Sequence, residues 1–365
     1  MNILFITLRA DFGGGPQHLD LLINNLTKEY IIYLACPNDR PYYYNWKNNI
    51  NVKDIFILPH RKFSVVKLLC LLKYIKEKKI EIIHSHGKGA GIYSRLIKLF
   101  YPKIMLIHTY HGIHLQTYNS LKKFLYIIME RLLYYLTDFL INVSNGEKEV
   151  CISNKLIPRN SNKNIVIYNA VNKLNKINDA KIKLYLDNKF VITTISRFDY
   201  QKNMQQAYKI AEYFKNDKNI IFLWIGDGED KEALEKLANN NNVNIFFTGF
   251  TRDIELYLSA TDLYLSTSRW EGLPIALIEA LSLGIPIIAS NVVGNREVVL
   301  HGKTGYLFKN VEKAIKFINL LKNNVDLYKT FSYNALEFFT NFNIQQMIEK
   351  LEKIYLSNNN LEDKK

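Results

Sequence analysis

Cysteine is scarce in this sequence, and the few cysteines present form no recognisable pattern. The chain of 365 residues contains only Cys36, Cys70 and Cys151, which lie far apart. Their odd number and wide spacing argue against a disulfide framework and against a cysteine-based zinc site. Free thiols are typical of a reducing compartment, so we expect a cytoplasmic protein.

Long hydrophobic runs are also missing. Charged residues interrupt every apolar stretch before it reaches the length needed to cross a bilayer. The first apolar run, Asn2–Leu8, is too short for a signal peptide and has no basic segment before it. The sequence therefore predicts a protein without a membrane span, and only the polar residues 358–365 resemble a loose tail.

Negative charge is sparse in the first half of the chain. Residues 1–172 contain 23 Lys and Arg against 11 Asp and Glu, whereas residues 173–365 contain 25 against 23. An anionic membrane surface or a lipid phosphate would suit the basic half, but a general lysine-rich composition would also explain it. Nucleic acid is not an expected partner, because no basic motif with interleaved aromatic residues accompanies the charge.

Short apolar runs alternate with segments of helical period along the whole chain. The runs predicted as strands are 2–8, 31–35, 55–58, 82–84, 105–109, 139–143, 165–168, 190–195, 220–225, 245–247, 263–266 and 286–289. Strand–helix alternation builds parallel sheets with helices on both faces, an α/β architecture. A polar stretch at 172–187 divides the pattern, so we predict doubly wound domains at 1–172 and 173–341, with a C-terminal helix at about 342–358.

The clearest local motif follows the run that ends at Ser266. A turn at Glu271-Gly272 is followed by Leu273 and by Pro274, which is predicted to begin a helix because its missing N–H is not needed there. Free backbone N–H groups at the start of this helix favour an anion, and a diphosphate is the obvious candidate.

Two glutamates flank this predicted helix. Glu271 and Glu279 are eight residues apart, so both are expected on one side of the helix. Carboxylates accept hydrogen bonds from sugar hydroxyls, although two glutamates at this spacing are also typical of a solvated helix face.

Other candidate residues follow the ends of predicted strands, where ligands bind in parallel sheets. Arg197 and Lys202 follow the run 190–195 and suit phosphate, since arginine offers a forked contact and lysine a compact charge. Gly226 would bring backbone close to a ligand, and Phe250 would cover a base. A turn glycine and a partly buried core phenylalanine are equally reasonable readings of the last two.

The first domain offers glycines and histidines. Gly13, Gly14 and Gly15 follow the first strand and would let backbone approach a phosphate or sugar closely. His111, at a later strand end, is predicted to face the ligand, with His84 and His86 as weaker candidates. The spacing of His108, His111 and His114 does not indicate a metal site, because nothing supplies a fourth ligand.

Together these motifs resemble the retaining glycosyltransferases of family 4, which have the GT-B fold. The matching elements are Gly13–Gly15, His111-Gly112, Tyr168–Asn172, the pair Arg197 and Lys202, the segment Glu271–Glu279, and Gly294, Glu297 and His301–Gly305. Ser196 and Asn203 replace glycines that are common near the cation pair, which leaves the identity of the donor open.

The resemblance implies two Rossmann-like domains that face a central cleft, with the C-terminal helix crossing back to the first. The second domain would bind a nucleotide diphosphate sugar, a UDP-sugar more readily than a GDP-sugar. Arg197 and Lys202 would hold the diphosphate, and Glu279 the ribose. Glu271, Gly272, Leu273 and Pro274 would hold the sugar. His111 would lie beside the reacting sugar, and His86 would serve the acceptor.

The resemblance also implies metal-independent transfer of a hexose to a glycan or lipid-linked acceptor in bacterial envelope polysaccharide synthesis, without a cofactor. A UDP-sugar epimerase of the same fold and a non-catalytic GT-B subunit remain alternatives. Two basic amphipathic segments, 64–79 and 120–136, allow peripheral attachment to the inner face of a membrane, although packing on the sheet is the commoner use of such helices. In segment 64–79 the predicted apolar face comprises Val65, Leu68, Leu69, Leu72 and Ile75.

Overall fold

A computed structural model of the chain describes residues 1–113, 115 and 117–357, so His114 lies outside the described residues. The chain folds into two compact units. Unit 1 contains Met1–Asn169 together with the C-terminal segment that begins at Ile344, and unit 2 contains Ala170–Asn343. The first unit therefore ends three residues before the limit at 172 that the sequence indicates.

Unit 1 is built on a seven-stranded parallel sheet with the order β3-β2-β1-β4-β5-β6-β7. Its strands are β1 (Asn2–Thr7), β2 (Ile31–Cys36), β3 (Val52–Ile57), β4 (Ile82–His86), β5 (Met105–Thr109), β6 (Phe139–Asn142) and β7 (Asn164–Val166). Its first helices are α1 (Gly14–Asn25), α2 (Tyr42–Lys47), α3 (Val65–Glu77), α4 (Lys88–Phe100), α5 (Ser120–Tyr135) and α6 (Asn145–Ser153).

Unit 2 is built on a six-stranded parallel sheet with the order β10-β9-β8-β11-β12-β13. Its strands are β8 (Phe190–Ile195), β9 (Ile220–Ile225), β10 (Ile245–Gly249), β11 (Leu263–Ser266), β12 (Ile287–Ser290) and β13 (Gly305–Phe308). Its helices are α7 (Ala180–Lys183), α8 (Met204–Tyr213), α9 (Lys231–Asn240), α10 (Ile254–Ser259), α11 (Ile275–Ser282), α12 (Asn295–Val298), α13 (Val311–Asn323) and α14 (Val325–Phe339). A 3₁₀ turn at Thr340–Phe342 leads to α15 (Ile344–Leu356), which returns to unit 1.

The central strands are buried along almost their whole length because helices cover both faces of each sheet. Leu4, Phe5 and Ile6 in β1 are fully buried, although successive side chains of a strand point to opposite faces. Such continuous burial is typical of parallel sheets and explains why short unbroken apolar runs predicted the strands.

Each sheet reverses its strand order once. The reversal lies between β1 and β4 in unit 1 and between β8 and β11 in unit 2. In open parallel sheets, ligands bind beyond the carboxyl ends of the strands at this point. The glycine turn after β1, His86 at the end of β4, the loop after β8 and the turn after β11 all lie there.

Several elements differ from the sequence prediction, and strand β3 begins three residues before the predicted run 55–58. Strand β13 (Gly305–Phe308) was not predicted, because its four residues begin at a glycine and give too short an apolar run. In α3, the buried face consists of Leu68, Leu71 and Ile75, whereas Val65 and Leu69 are exposed. Among the described residues, every helix is too short or too polar to cross a membrane.

The C-terminal helix α15 is fixed to the sheet of unit 1 by a buried hydrogen bond. Its apolar face is buried, and the helix contacts α1. The Tyr355 hydroxyl and Nδ1 of His84 are 2.7 Å apart, and Nε2 of His84 lies 2.8 Å from Oγ1 of Thr109. His84 is therefore a structural residue that links β4, β5 and α15.

We predict that Tyr355→Phe lowers the free energy of unfolding of unit 1 by about 1–3 kcal/mol, because it leaves a ring nitrogen of buried His84 without its partner. Thermal unfolding monitored by calorimetry measures the loss. The matched control is Tyr333→Phe, which removes the same hydroxyl at an exposed position of α14. Equal melting temperatures for Tyr355→Phe and the control would contradict this role.

Candidate functional site

The glycine turn of unit 1 exposes backbone at the end of β1. Gly13 has φ of 150°, and a Cβ there would lie 2.8 Å from Nη2 of Arg9. The Arg9 guanidinium in turn donates to the carbonyl oxygen of Phe12 and to Asp11, which fixes the turn. Helix α1 starts at Gly14, and no heavy atom lies within 4 Å of the Cβ position of Gly15, so a ligand can approach the backbone there.

Three histidines meet at the same edge of the sheet. His86 ends β4, His111 follows β5, and His18 comes from the second turn of α1. Nδ1 of His86 lies 3.0 Å from Nε2 of His111, and the ring centroid of His18 lies 4.7 Å from that of His111. His86 and His111 were predicted from the sequence, but His18 was not. Its position one turn after the glycine turn was the available signal.

Burial keeps these imidazoles neutral. Desolvation lowers the pKa of His18 to about 4 and holds the pKa values of His86 and His111 well below the usual range. Neighbouring imidazoles add to this effect, because each protonated ring would repel the next. At neutral pH the cluster therefore offers uncharged hydrogen-bonding nitrogens.

Glu147 anchors the loop that carries His111. This buried carboxylate accepts hydrogen bonds from the backbone N–H groups of Gly112, Ile113 and Val143, the last at 2.8 Å. His111 has φ of 63°, a left-handed conformation that a non-glycine residue adopts only when its surroundings hold it. Glu147 has a recognisable signal in the sequence, since Ser144-x-x-Glu147 is a capping motif at the start of α6.

The loop after β8 holds Arg197 in place. Its guanidinium lies 3.0 Å from a carboxylate oxygen of Asp199 and donates to Oε1 of Gln201 at 3.1 Å. Gly226, at the end of β9, supports this loop from the neighbouring strand. A Cβ at Gly226 would lie 1.9 Å from the carbonyl oxygen of Ser196, so only glycine fits.

Lys202 connects the loop after β8 to the loop after β11, at the point where the sheet of unit 2 reverses its strand order. Its Nζ donates to Oε1 of Glu271 at 2.6 Å, in an ion pair whose carboxylate is nearly buried. Thr267 strengthens the connection, because its hydroxyl donates to the carbonyl oxygens of Lys202 and Asn203. Asn203 is left-handed, with φ of 54°, which asparagine tolerates better than most residues where the family has glycine.

Only one of the two glutamates, Glu279, lies on helix α11. Helix α11 begins at Ile275 with Pro274 as its N-cap, so Glu271 lies in the preceding turn and not on the helix. Burial raises the pKa of Tyr264, and the carboxylates of Glu279 and Glu271 raise it further. The hydroxyl of Tyr264 bonds to the backbone of Ile195.

The predicted residues thus form one group in each unit. In unit 1, Gly13–Gly15, His86 and His111 lie at one sheet edge. In unit 2, the turn Glu271–Pro274, Glu279, Arg197, Lys202 and Gly226 surround the ends of β8, β9 and β11. Phe250 follows the edge strand β10 and is exposed. His108 points elsewhere, since its Nδ1 bonds to the hydroxyl of Ser85.

Comparison with known proteins identifies close relatives. The family model described as Glycosyltransferase Family 4 matches residues 12–173, and the model described as Glycosyl transferases group 1 matches residues 175–338. An uncharacterised glycosyltransferase of Methanocaldococcus jannaschii is 32% identical, over 94% of each chain. The UDP-Gal:alpha-D-GlcNAc-diphosphoundecaprenol alpha-1,3-galactosyltransferase of Escherichia coli is 29% identical, over 93% of this chain and 92% of its own.

The fold also matches solved structures. An Anabaena protein crystallised with UDP and glucose has a TM-score of 0.84 and 18% identity, over 98% of this chain and 100% of that one. The two parallel sheets, with seven and six strands, are those of the GT-B architecture.

We predict that Glu147→Gln loosens the loop that carries His111, because the amide cannot replace a carboxylate that accepts from three N–H groups. Hydrogen exchange at the amides of Gly112 and Ile113 should become at least about tenfold faster, which corresponds to a loss of roughly 1.4 kcal/mol. Glu149→Gln, at an exposed position on the same helix, is the control. Unchanged exchange in Glu147→Gln would contradict the anchoring role.

Proposed function

The chain belongs to the group 1 glycosyltransferases, and from this premise we propose that it transfers a hexose from a UDP-sugar to a glycan or lipid-linked acceptor. The transfer retains the anomeric configuration and needs no metal ion or other cofactor. The product belongs to a bacterial envelope polysaccharide.

The observation that carries this proposal is the set of charged side chains at the strand ends of unit 2. Arg197 and Lys202 are held by Asp199 and Glu271, at 3.0 and 2.6 Å, so both cations are positioned before a ligand arrives. Positioned cations stabilise a departing diphosphate in the way that a divalent ion does elsewhere. In this proposal the ligand phosphates take over hydrogen bonds that the acidic partners now accept.

The remaining residues of unit 2 have supporting roles. Glu279 binds the ribose hydroxyls, and Glu271 with Gly272, Leu273 and Pro274 binds the donor sugar. Gly226 lets the backbone approach the nucleotide, and exposed Phe250 is available to cover the base. The Escherichia coli relative that uses UDP-Gal supports uridine as the base.

Unit 1 supplies the acceptor side. His111 contacts the reacting sugar, His86 contacts the acceptor and positions His111, and the Gly13–Gly15 turn approaches a phosphate. A leaving phosphate on the same face of the sugar would take the proton from the acceptor hydroxyl, so the reaction needs no strong side-chain base. The neutral state of these imidazoles suits hydrogen bonding to sugar hydroxyls.

A stripe of exposed apolar side chains on α5 favours a membrane-bound acceptor. Leu121, Leu125, Ile128, Leu132 and Tyr135 recur at intervals of three or four residues and lie on one helix face. Lys122, Lys123 and Arg131 accompany the stripe in the basic half of the chain. We infer that this face rests on the anionic inner surface of a membrane, where a lipid-linked acceptor is found.

A transfer assay tests the proposed function. The full chain is incubated in chelator with UDP-sugars, with and without a polyprenyl-diphosphate-linked GlcNAc acceptor. Formation of an α-linked product only when acceptor is present supports the proposal. Conversion of the donor without acceptor identifies an epimerase, and binding of UDP without any turnover identifies a non-catalytic subunit. A β-linked product from an α-linked donor refutes retention.

We predict that Lys202→Ala lowers kcat/KM for the UDP-sugar by about 100-fold or more, because it removes a charge from the leaving diphosphate and leaves Glu271 unpaired. Steady-state kinetics measure the loss. The control Lys209→Ala changes an exposed lysine of α8 and should leave kcat/KM unaltered. Wild-type kinetics for Lys202→Ala with normal melting would refute the assigned role.

We predict that Leu125→Glu abolishes binding to vesicles that contain anionic lipid, because it puts a negative charge in the centre of the α5 stripe. Co-sedimentation with anionic and zwitterionic vesicles measures binding. Leu237→Glu on α9 is the matched control, because both leucines are exposed, Leu125 at 57% and Leu237 at 41%. If the wild type binds both vesicle types equally and without salt dependence, the membrane proposal fails.

A further inference from the structure

The histidine cluster of unit 1 has the composition of a metal site. One ring nitrogen from each of His18, His86 and His111 lies within 4.8 Å of the other two. The three side chains come from α1, β4 and the loop after β5, so no local spacing in the sequence could indicate the group. Three imidazoles with an open fourth position are a common ligand set for zinc.

The distances suit a small ion after a modest adjustment. Nitrogen ligands about 2.0–2.1 Å from a tetrahedral zinc ion lie about 3.3 Å from one another. Nδ1 of His86 and Nε2 of His111 are 3.0 Å apart and would need to separate by only a few tenths of an ångström. His18 has to move further, and its ring already contacts that of His111 edge to face.

The cluster also has hydrogen-bonding capacity that nothing uses within the described residues. Nδ1 of His18 is buried and has no hydrogen-bond partner there. Such atoms are costly to bury unless a water or ion occupies the space beside them. His84 is different, because both of its ring nitrogens are bonded, to Tyr355 and Thr109.

We propose that His18, His86 and His111 form a binding site for a divalent transition-metal ion, with Zn²⁺ as its best-matched ligand. Nitrogen donors favour zinc over magnesium or calcium. The hydrogen bond between His86 and His111 is replaced when the ion binds, and a change of tautomer frees the required lone pair without loss of a proton.

Metal binding at this site is separate from the transfer reaction, so it can be tested independently of the proposed function. Its consequence for that function is inhibition. His111 is proposed to contact the sugar, and an ion bound to its ring would withdraw it from that contact.

A second group of possible ligands provides the internal control. Asp11, Asp39 and His60 also lie together in unit 1, and His60 bonds to Asp39. This group is more exposed and mainly offers carboxylate oxygens. A metal that binds there would be lost in His60→Ala and retained in variants of the buried cluster.

The experiment is a Co²⁺ titration of the full-length, tag-free protein, followed by visible absorption. Four- or five-coordinate Co²⁺ absorbs much more strongly than the hydrated ion, and Zn²⁺ should displace it. We expect one ion per chain. His18→Ala, His86→Ala and His111→Ala should each weaken binding by about 100-fold or more, since each removes a ligand. His60→Ala should bind as the wild type does.

The wild-type titration alone can overturn the proposal. Absorption of the hydrated ion only, at saturating Co²⁺, means that the site does not exist. A signal that disappears in His60→Ala and persists in the three cluster variants assigns the metal to the exposed group. Thermal melting of each variant is measured first, and any variant that does not fold is replaced by the glutamine substitution at the same position.

Discussion

Both groups of candidate residues depend on the parallel arrangement of the sheets. When all strands run in one direction, all of their carboxyl ends lie on one edge, and the loops that follow them are forced together. For this reason, residues that are distant in sequence lie at the same edge of a sheet, as Gly13 and His111 do in unit 1 and Arg197 and Glu279 do in unit 2. The reversal of strand order then opens room between adjacent loops.

Topology brings the candidate side chains to the edge, but other residues hold them there. The Lys202–Glu271 ion pair joins the loops after β8 and β11, and Asp199 restrains Arg197. In unit 1, the Glu147 carboxylate accepts hydrogen bonds from backbone N–H groups and so stabilises the left-handed conformation of His111. These supports stabilise a geometry in which cations and imidazoles are ready for a ligand, at the cost of burying charge.

The sequence predicted the architecture well because buried parallel strands are continuous apolar runs. Strand β8 has the predicted bounds, and helix α15 lies within the predicted segment, whereas β13 was too short to be recognised. Local motifs also indicated that Arg197, Lys202 and Glu271 follow the ends of strands.

The residues that hold the candidate side chains in place were harder to predict. Glu147, for example, bonds to the backbone of Gly112, which is 35 residues away in the chain. His18 contacts the ring of His111, and Tyr355 bonds to His84 in the sheet. Both contacts depend on tertiary packing, which the local sequence pattern does not indicate. The face of α3 was assigned wrongly at Val65 and Leu69, because the apolar residues of this segment extend over more than one face of the helix.

The central claim is that positioned cations bind a nucleoside diphosphate without a divalent metal. Calorimetric titration of UDP into the wild-type chain, first in chelator and then with Mg²⁺, tests this claim most directly. The account predicts saturable binding of one UDP per chain with the same affinity in both buffers. Binding that appears only after Mg²⁺ is added would contradict it, and so would the absence of binding in both buffers.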